Sequence, residues 1–413
     1  MVSRDLSASP TSRARIVSHA LAIDAELPVP LPGLGCQSLS STSRTVLFEL
    51  IVGGASSRVE IARKLGASKS SLTRSTRSLV NSGLIIEGAT ELRSALGRPS
   101  EMLVVAADAM NFAGVKLTGD RLYAVVTDLR ARVVESLDEP LDSVAPESVV
   151  SQLGRIVDGF RVRFPKLVAV GVTLAGSIVR SRTGGLLLEE SEFLGWHDLL
   201  LADLLGERVG VPVAIENDLH ALAATEHWFG AGAGAGLESM ALITIGEGIG
   251  CGLVANGKLV NGASGLAGRI NHHVITGSGP KCGLGHVGCA SAYLTNSSIA
   301  RAVGRDDPAP ISYDLALERA RAGDPVAVQA FDDAGFALGT LIGTVTDLFD
   351  PLRVVLSGDG IALWDIAPSA IAAGFLGTTG RAIDVVDIRV RPFDFGEWAR
   401  SAAVVALRSI LAT

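Results

Sequence analysis

From Ser43 the chain places Val46, Leu47, Leu50 and Ile51 on one helical face, and Gly53-Gly54 closes the run; this period predicts an amphipathic helix. Ser57 then precedes Arg58 to Leu65, with Glu60 three residues on and Gly66 at the end. That is the signature of a capping box and a glycine stop, so a second, short helix is expected. A third is expected over residues 69–80, burying Leu72, Thr76, Leu79 and Val80 and exposing Lys69, Ser70, Ser71, Thr73, Arg74 and Arg77. Residues 84–87 and 102–105 are apolar runs that read as two strands of a hairpin, with Gly97-Arg98-Pro99 at its tip.

Beyond residue 111 the pattern changes. Residues 112–117, 122–128 and 133–135 read as strands, 146–160 as a helix, and 167–173, nearly unbroken in apolar residues, as a buried strand. The alternation continues with helices over 199–210, 219–228, 324–349 and 398–411, and strands over 213–216, 240–245, 250–255, 353–357 and 385–390. This is the order of an α/β protein with two lobes and a cleft between them.

The chain has 413 residues, of which 48% are hydrophobic and 19% charged. It is long enough for two to three domains at about 100–200 residues each, and too apolar to remain disordered. The longest apolar stretch, 168–179, is interrupted by Gly171, Thr173, Gly176 and Ser177, so no membrane span is expected. The first ten residues lead into no apolar region of a secretion signal, and a cytoplasmic protein is expected. Four cysteines (Cys36, Cys251, Cys282 and Cys289) are too few for a disulfide framework, and the pair Cys282/Cys289 reads as part of a metal site.

The net charge is −7, which taken whole argues against nucleic acid. The charge is unevenly spread: residues 41–100 hold nine basic against four acidic side chains, and the acidic excess falls on 101–413. Two short helices joined by a glycine turn, the second presenting hydroxyls and cations, match the arrangement that sets a recognition helix in the major groove. Double-stranded DNA is therefore the expected partner, read by Arg44, Ser68, Lys69, Ser70, Ser71, Thr73, Arg74 and Arg77, with Arg98 on the wing suited to a narrow minor groove. A solvated helical face is the plainer reading of the same charges. The expected organisation is an arm over 1–40, extended where Pro28, Pro30 and Pro32 rule out helix, a winged helix-turn-helix over 41–107, and an effector and oligomerisation domain over 108–413.

Several motifs occur together in order after the winged helix: Ile215-Glu216-Asn217-Asp218, Gly246-Glu247-Gly248-Ile249-Gly250, Gly262-Ala263-Ser264-Gly265-Leu266-Ala267-Gly268, and a Cys-Gly segment. This order, with the Gly-Arg-Pro wing, resembles the ROK family of repressors, open reading frames and sugar kinases, over roughly residues 43–413. The resemblance implies an actin-like, hexokinase-type two-lobed α/β domain that binds a sugar. In the family's repressors it implies a homodimer or homotetramer that releases DNA when an effector binds.

The chain departs from the family's kinases at several of the positions that bind phosphate and sugar. Where they carry Asp-x-Gly-Gly-Thr, it has Lys116-Leu117-Thr118-Gly119-Asp120, a cation for the metal-side carboxylate and an acid for the threonine. Glu247 stands in the second phosphate loop, where a carboxylate about 4 Å from a phosphate charge costs about 1–4 kcal/mol. Asp218 keeps the family's general-base position and Asn217 its sugar-binding position, although the two also suit a helix cap before Leu219. Two sugar-binding carboxylates are replaced, one by Arg269 in Arg269-Ile270-Asn271-His272 and one by Ser291.

The family's zinc site pairs that histidine with three cysteines, and here one cysteine is Leu284. His272, Cys282 and Cys289 remain, with His286 as a fourth donor if its loop turns inward; buried free thiols are the alternative.

These departures point to a regulator, a repressor of sugar-related genes with no catalytic residue beyond a vestigial Asp218 and no cofactor other than zinc. The ligand-binding set is Asn217, Asp218, Arg269, His272 and Ser291. Arg269 suits an anionic effector, unless it pairs with Glu247. A working sugar kinase with an appended DNA-binding domain is the alternative, and a regulator without ligand response a third.

Overall fold

The computed structural model describes residues 39–91, 100–180, 185–230 and 237–411. The arm up to residue 38 and the wing tip with Arg98 lie outside the described residues.

Three helices form first: α1 (Ser41–Gly53), α2 (Arg58–Leu65) and α3 (Lys69–Asn81), joined by a small antiparallel sheet of β1 (Ser56–Ser57), β2 (Ile85–Glu91) and β3 (Ser100–Val105) in the order β1-β3-β2. Their ends are set by side chains. Ser57 Oγ accepts from Glu60 N–H at 3.3 Å while Glu60 Oε2 accepts from Ser57 N–H at 2.9 Å, the reciprocal capping box. Gly66 ends α2 in the left-handed region at φ +60°, the turn that sets α3 across it.

The remainder is built from two five-stranded sheets. In the first, β4 (Asn111–Leu117), β5 (Arg121–Asp128) and β6 (Val133–Pro140) make an antiparallel meander; then α4 (Pro146–Arg163) crosses to β7 (Leu167–Leu174), parallel to β4. A side excursion of β8 (Ser177–Arg180), β9 (Leu186–Ser191), β10 (Trp196–Leu199) and α5 (Leu201–Val209) follows, and β11 (Val213–Asn217) returns parallel to β7. After α6 (Asp218–Phe229) the second sheet repeats the plan, with β12 (Met240–Thr244), β13 (Gly250–Ala255) and β14 (Lys258–Leu259) as the meander. Helices α7 (Ala290–Leu294), α8 (Asn296–Val303), α9 (Tyr313–Arg321) and α10 (Pro325–Phe349) lead to β15 (Val354–Ser357), then α11 (Leu363–Ile366) and α12 (Pro368–Thr379) lead to β16 (Ile388–Val390). The orders β11-β7-β4-β5-β6 and β16-β15-β12-β13-β14 are the same topology twice, which is why the molecule has two lobes and a cleft between them.

The last helix, α13 (Phe395–Leu411), lies on the first sheet. It approaches so closely that a Cβ on Gly171 would stand 1.8 Å from Ala402 O and one on Gly114 2.2 Å from Ala403 N, so neither position admits a side chain. Ala403, Leu407 and Ile410 of this helix share one continuous core with Phe112 below and with Phe48 and Leu50 of α1. A second joint lies beside it: Trp228, at the end of α6, meets Phe48 edge to face with ring centres 4.5 Å apart, and Arg408 of α13 lies 5.3 Å above the Trp228 ring.

Candidate DNA-reading face and ligand cleft

Ser68, Lys69, Ser70, Thr73, Arg74 and Arg77 are exposed, and the last five line one shallow groove along α3. The apolar side of the helix, Leu72 and Leu79, is fully buried, with Ser75 and Thr76 beside them and Val80 half-buried. Ser68 Oγ caps the helix by accepting from Ser71 N–H at 3.2 Å, and Ser71 is half-buried. Not every cation of the module faces outward. Arg58 is tied to Glu87 and, at 2.8 Å, to Glu101, Lys64 is tied to Glu49, and Arg44 is half-buried on α1 away from the groove.

Between the lobes lies a cleft of about 810 Å³. On its floor Lys116, the end of β4, donates to Asp218 Oδ2, and both side chains are almost fully buried. Asp218 Oδ1 accepts from Leu219 N–H at 2.9 Å, so both carboxylate oxygens are engaged. Asn217 caps α6: its Oδ1 accepts from the N–H groups of Leu219 and His220 at 3.0 and 3.1 Å, and its Nδ2 donates to Gly176 O at 3.0 Å. The cap reading of these two residues is thus what the geometry shows. One turn on, His220 is buried with Glu216 Oε1 3.8 Å from Nδ1 and Ala267 O 3.1 Å from Nε2. Burial draws its pKa down, but Glu216 and the carbonyl outweigh it, and the net shift is upward.

The second glycine loop is filled from within. Asp359, on the turn after β15, accepts from Glu247 N–H at 3.2 Å and from Asn296 Nδ2 at 2.8 Å. A Cβ on Gly246 would lie 1.7 Å from its Oδ1, so the loop closes on this carboxylate only because residue 246 is glycine. Burial pushes the Asp359 carboxyl up, against the donors that favour its charge. Sequence reasoning missed Asp359; the acid inside Gly358-Asp359-Gly360, directly after a strand, was the available signal.

Arg269 is exposed at the cleft, and the expected ion pair with Glu247 is not formed: Glu247 lies exposed on the glycine loop and uses its N–H, not its carboxylate, to bridge the lobe. Ser291 lines the cleft but donates to Asn271 O at 2.8 Å. The aromatic side chains Phe393, Phe395 and Trp398, which the pattern of apolar positions did not single out, also line the cleft, with Lys116 Nζ 5.3 Å from the Trp398 ring centre.

At the cleft's edge His272, Cys282, His286 and Cys289 bring their donor atoms within 4.8 Å of one another. His272 Nδ1 is 3.8 Å from Cys282 Sγ and 3.7 Å from Cys289 Sγ, and the two imidazoles meet edge to face at 4.5 Å. The loop turns back through Cys282 N–H to His286 O at 3.0 Å, with Gly285 and Gly288 at φ +84° and +62°. Leu284, in the position of the missing thiol, is 64% exposed and turned away. Burial acts to raise the Cys282 thiol pKa, yet backbone N–H groups of Leu284 and His286 bring it below the ordinary value, while burial and the neighbouring Cys282 sulfur hold the Cys289 thiol above its own. Two thiols and two imidazoles converging in this way fit a tetrahedral zinc.

A winged helix joined to a duplicated two-lobed α/β domain, with a sugar-kinase-type cleft, defines the class of this molecule. Residues 112–376 match the ROK family, and the chain belongs to it. The xylose repressor of Bacillus spizizenii is 26% identical over 317 residues, covering 76% of this chain and 80% of that protein. A glucokinase of Streptomyces coelicolor is 29% identical over 262 residues, 59% of this chain and 80% of its own. The crystal structure of a ROK family transcriptional regulator, a homologue of the E. coli MLC protein, shares the fold with TM-score 0.75 at 23% identity, covering 90% of this chain and 98% of its own. Among the described residues no helix is long and apolar enough to cross a membrane.

Proposed function

We propose that this chain is a sequence-specific DNA-binding regulator, a repressor of sugar-related genes, whose kinase-derived domain senses a sugar-derived ligand and has given up phosphoryl transfer. The observation that carries this is the buried pair Lys116–Asp218. A general base must be free to take a proton from a sugar hydroxyl, and this carboxylate is neutralised by a lysine standing where a kinase holds metal. The regulator's fold covers nine-tenths of the chain, winged helix included, whereas the glucokinase match covers 59%. Residues 41–107 then read DNA through the α3 face, and 108–413 bind ligand and assemble the chain as a homodimer or homotetramer.

In this reading His272, Cys282, His286 and Cys289 hold a structural zinc, with His286 in place of the family's third thiolate. Zinc supplies a fixed crosslink; the chain's own part is to bring the four donors to one point at the rim of the cleft.

The test is capture of sheared DNA of the source genome by the purified chain at about 150 mM salt, where non-specific phosphate binding is weakened. Recovery of a few inverted repeats, reduced by Arg98→Ala and by Lys69→Ala/Arg74→Ala, is expected. Retention of no specific sequence, or hexose-dependent ATP turnover above background, refutes the reading.

A further inference from the structure

The cleft combines a carboxylate-lined glycine loop with an aromatic wall. Asp359 already occupies the N–H of Glu247, the donor that a phosphate at this loop would need. The exposed carboxylates of Asp120, Glu190, Glu192 and Glu247 line the same space against the guanidinium groups of Arg269 and Arg301, while the Lys116 charge is spent on Asp218. A polyanion entering here meets a preponderance of like charge.

The turn before α13 supplies Phe393 and the first turn of that helix supplies Phe395 and Trp398, all half-buried. Their order is imposed from behind. Tyr123 of β5 stacks on Phe395 at 4.2 Å and 9°, Phe393 meets Phe395 edge to face at 4.7 Å, and Phe393 lies 6.2 Å from Trp398. The wall is adjacent to the Asn217/Asp218 end of the cleft, because the Lys116 ammonium that binds Asp218 also sits over Trp398 at 5.3 Å. Aromatic faces favour apolar C–H surfaces and rings, with no need for charge. At about 810 Å³ the cleft lies toward the upper end of the roughly 300–1,000 Å³ that enclose ligands larger than a single small ring.

We infer that the cleft takes a neutral ligand of two rings, a disaccharide or a glycoside, with one ring at Asn217 and Asp218 and the second against Phe393 and Trp398. This rests on the reading of the cleft as an effector site.

The test is isothermal titration of the full chain with glucose, xylose and N-acetylglucosamine against maltose, cellobiose, xylobiose and chitobiose, with glucose 6-phosphate and ATP as anionic arms. At least one disaccharide is expected to bind ten times or more tightly than its monomer. Phe393→Ala and the milder Trp398→Leu are expected to bring that disaccharide to its monomer's affinity, leaving the monomer within twofold. Equal affinity for monomer and dimer, tighter binding of either anion, equal loss for both sugars in the aromatic variants, or binding of no sugar on the panel overturns the inference. Thermal melts of both variants separate misfolding from lost stacking. Operator binding is measured on the same preparations: a chain that binds its operator and no disaccharide refutes this inference alone, and one that binds no DNA refutes the reading beneath it.

Discussion

Lys116 and Asp218, 102 residues apart in the chain, form an ion pair on the floor of the cleft, with side-chain exposures of 6% and 12%. Removing one partner from such a pair leaves a buried charge without compensation, which costs about 3–5 kcal/mol, while replacing both is far milder. Lys116→Met is therefore expected to lower unfolding stability by that amount in urea denaturation, and Lys116→Met/Asp218→Asn to recover most of it. A loss below about 1 kcal/mol for the single variant would mean that water reaches the pair.

The α3 groove predicts a salt dependence. Each phosphate contact contributes a slope of about −0.9 to the logarithm of affinity against the logarithm of salt. Lys69→Ala/Arg74→Ala is expected to flatten that slope by about 2 in fluorescence anisotropy titrations, if both side chains touch phosphate. An unchanged slope would remove these two residues from the interface.

Zinc content tests the rim of the cleft. Elemental analysis of protein purified without chelator is expected to give one zinc per chain, with loss of the metal in Cys282→Ser and weaker retention in His286→Ala. Because zinc binds only the folded arrangement, a chelator is expected to lower the melting temperature of the wild type and leave Cys282→Ser unmoved. Metal-free protein whose thiols react freely with Ellman's reagent would show the cysteines to be unligated.

His220 gives the pH dependence its sign. Burial lowers its pKa, but Glu216, with smaller help from the Ala267 carbonyl and the Asp218 charge, raises it overall above the ordinary value. A histidine whose folded pKa is raised contributes stability that is complete below its unfolded pKa of about 6.5 and is lost as pH rises through the folded value. Relative to His220→Gln, the wild type is expected to lose stability between mildly acidic and mildly alkaline pH. A pH-independent difference between the two would show that the imidazole keeps one protonation state.

Features determined by near neighbours were legible in the sequence. Ser57 and Glu60 announce their capping box because both partners lie within one helical turn, and the apolar run from Leu167 announces a strand buried on both faces. Asn217 was legible as a cap for the same reason, and the substitutions at Lys116 and Glu247 flagged a changed site. What they now touch was not legible. Arg269 suggested an ion pair with Glu247, but their separation depends on how two loops from different strands come together. Asp359 and Glu247 are 112 residues apart, and only the second lobe's parallel pairing of β12 with β15 brings their loops side by side. The strands β8 to β10 and helix α12 also escaped notice. The first are short with mixed polarity, and the second is apolar and small-residued almost all round, so neither has a period to read.

Helix α6 begins at Asp218 in the cleft and ends at Trp228-Phe229 against the winged helix, with twelve residues or about 18 Å between. An element that in a phosphoryl-transfer enzyme presents a proton acceptor here has its two ends in two departments of the molecule. The residue that the indole meets, Phe48, belongs to α1, the helix on which α3 is packed. A single helix thus runs from the lysine clasp at the floor of the cleft to the joint on which the winged helix sits.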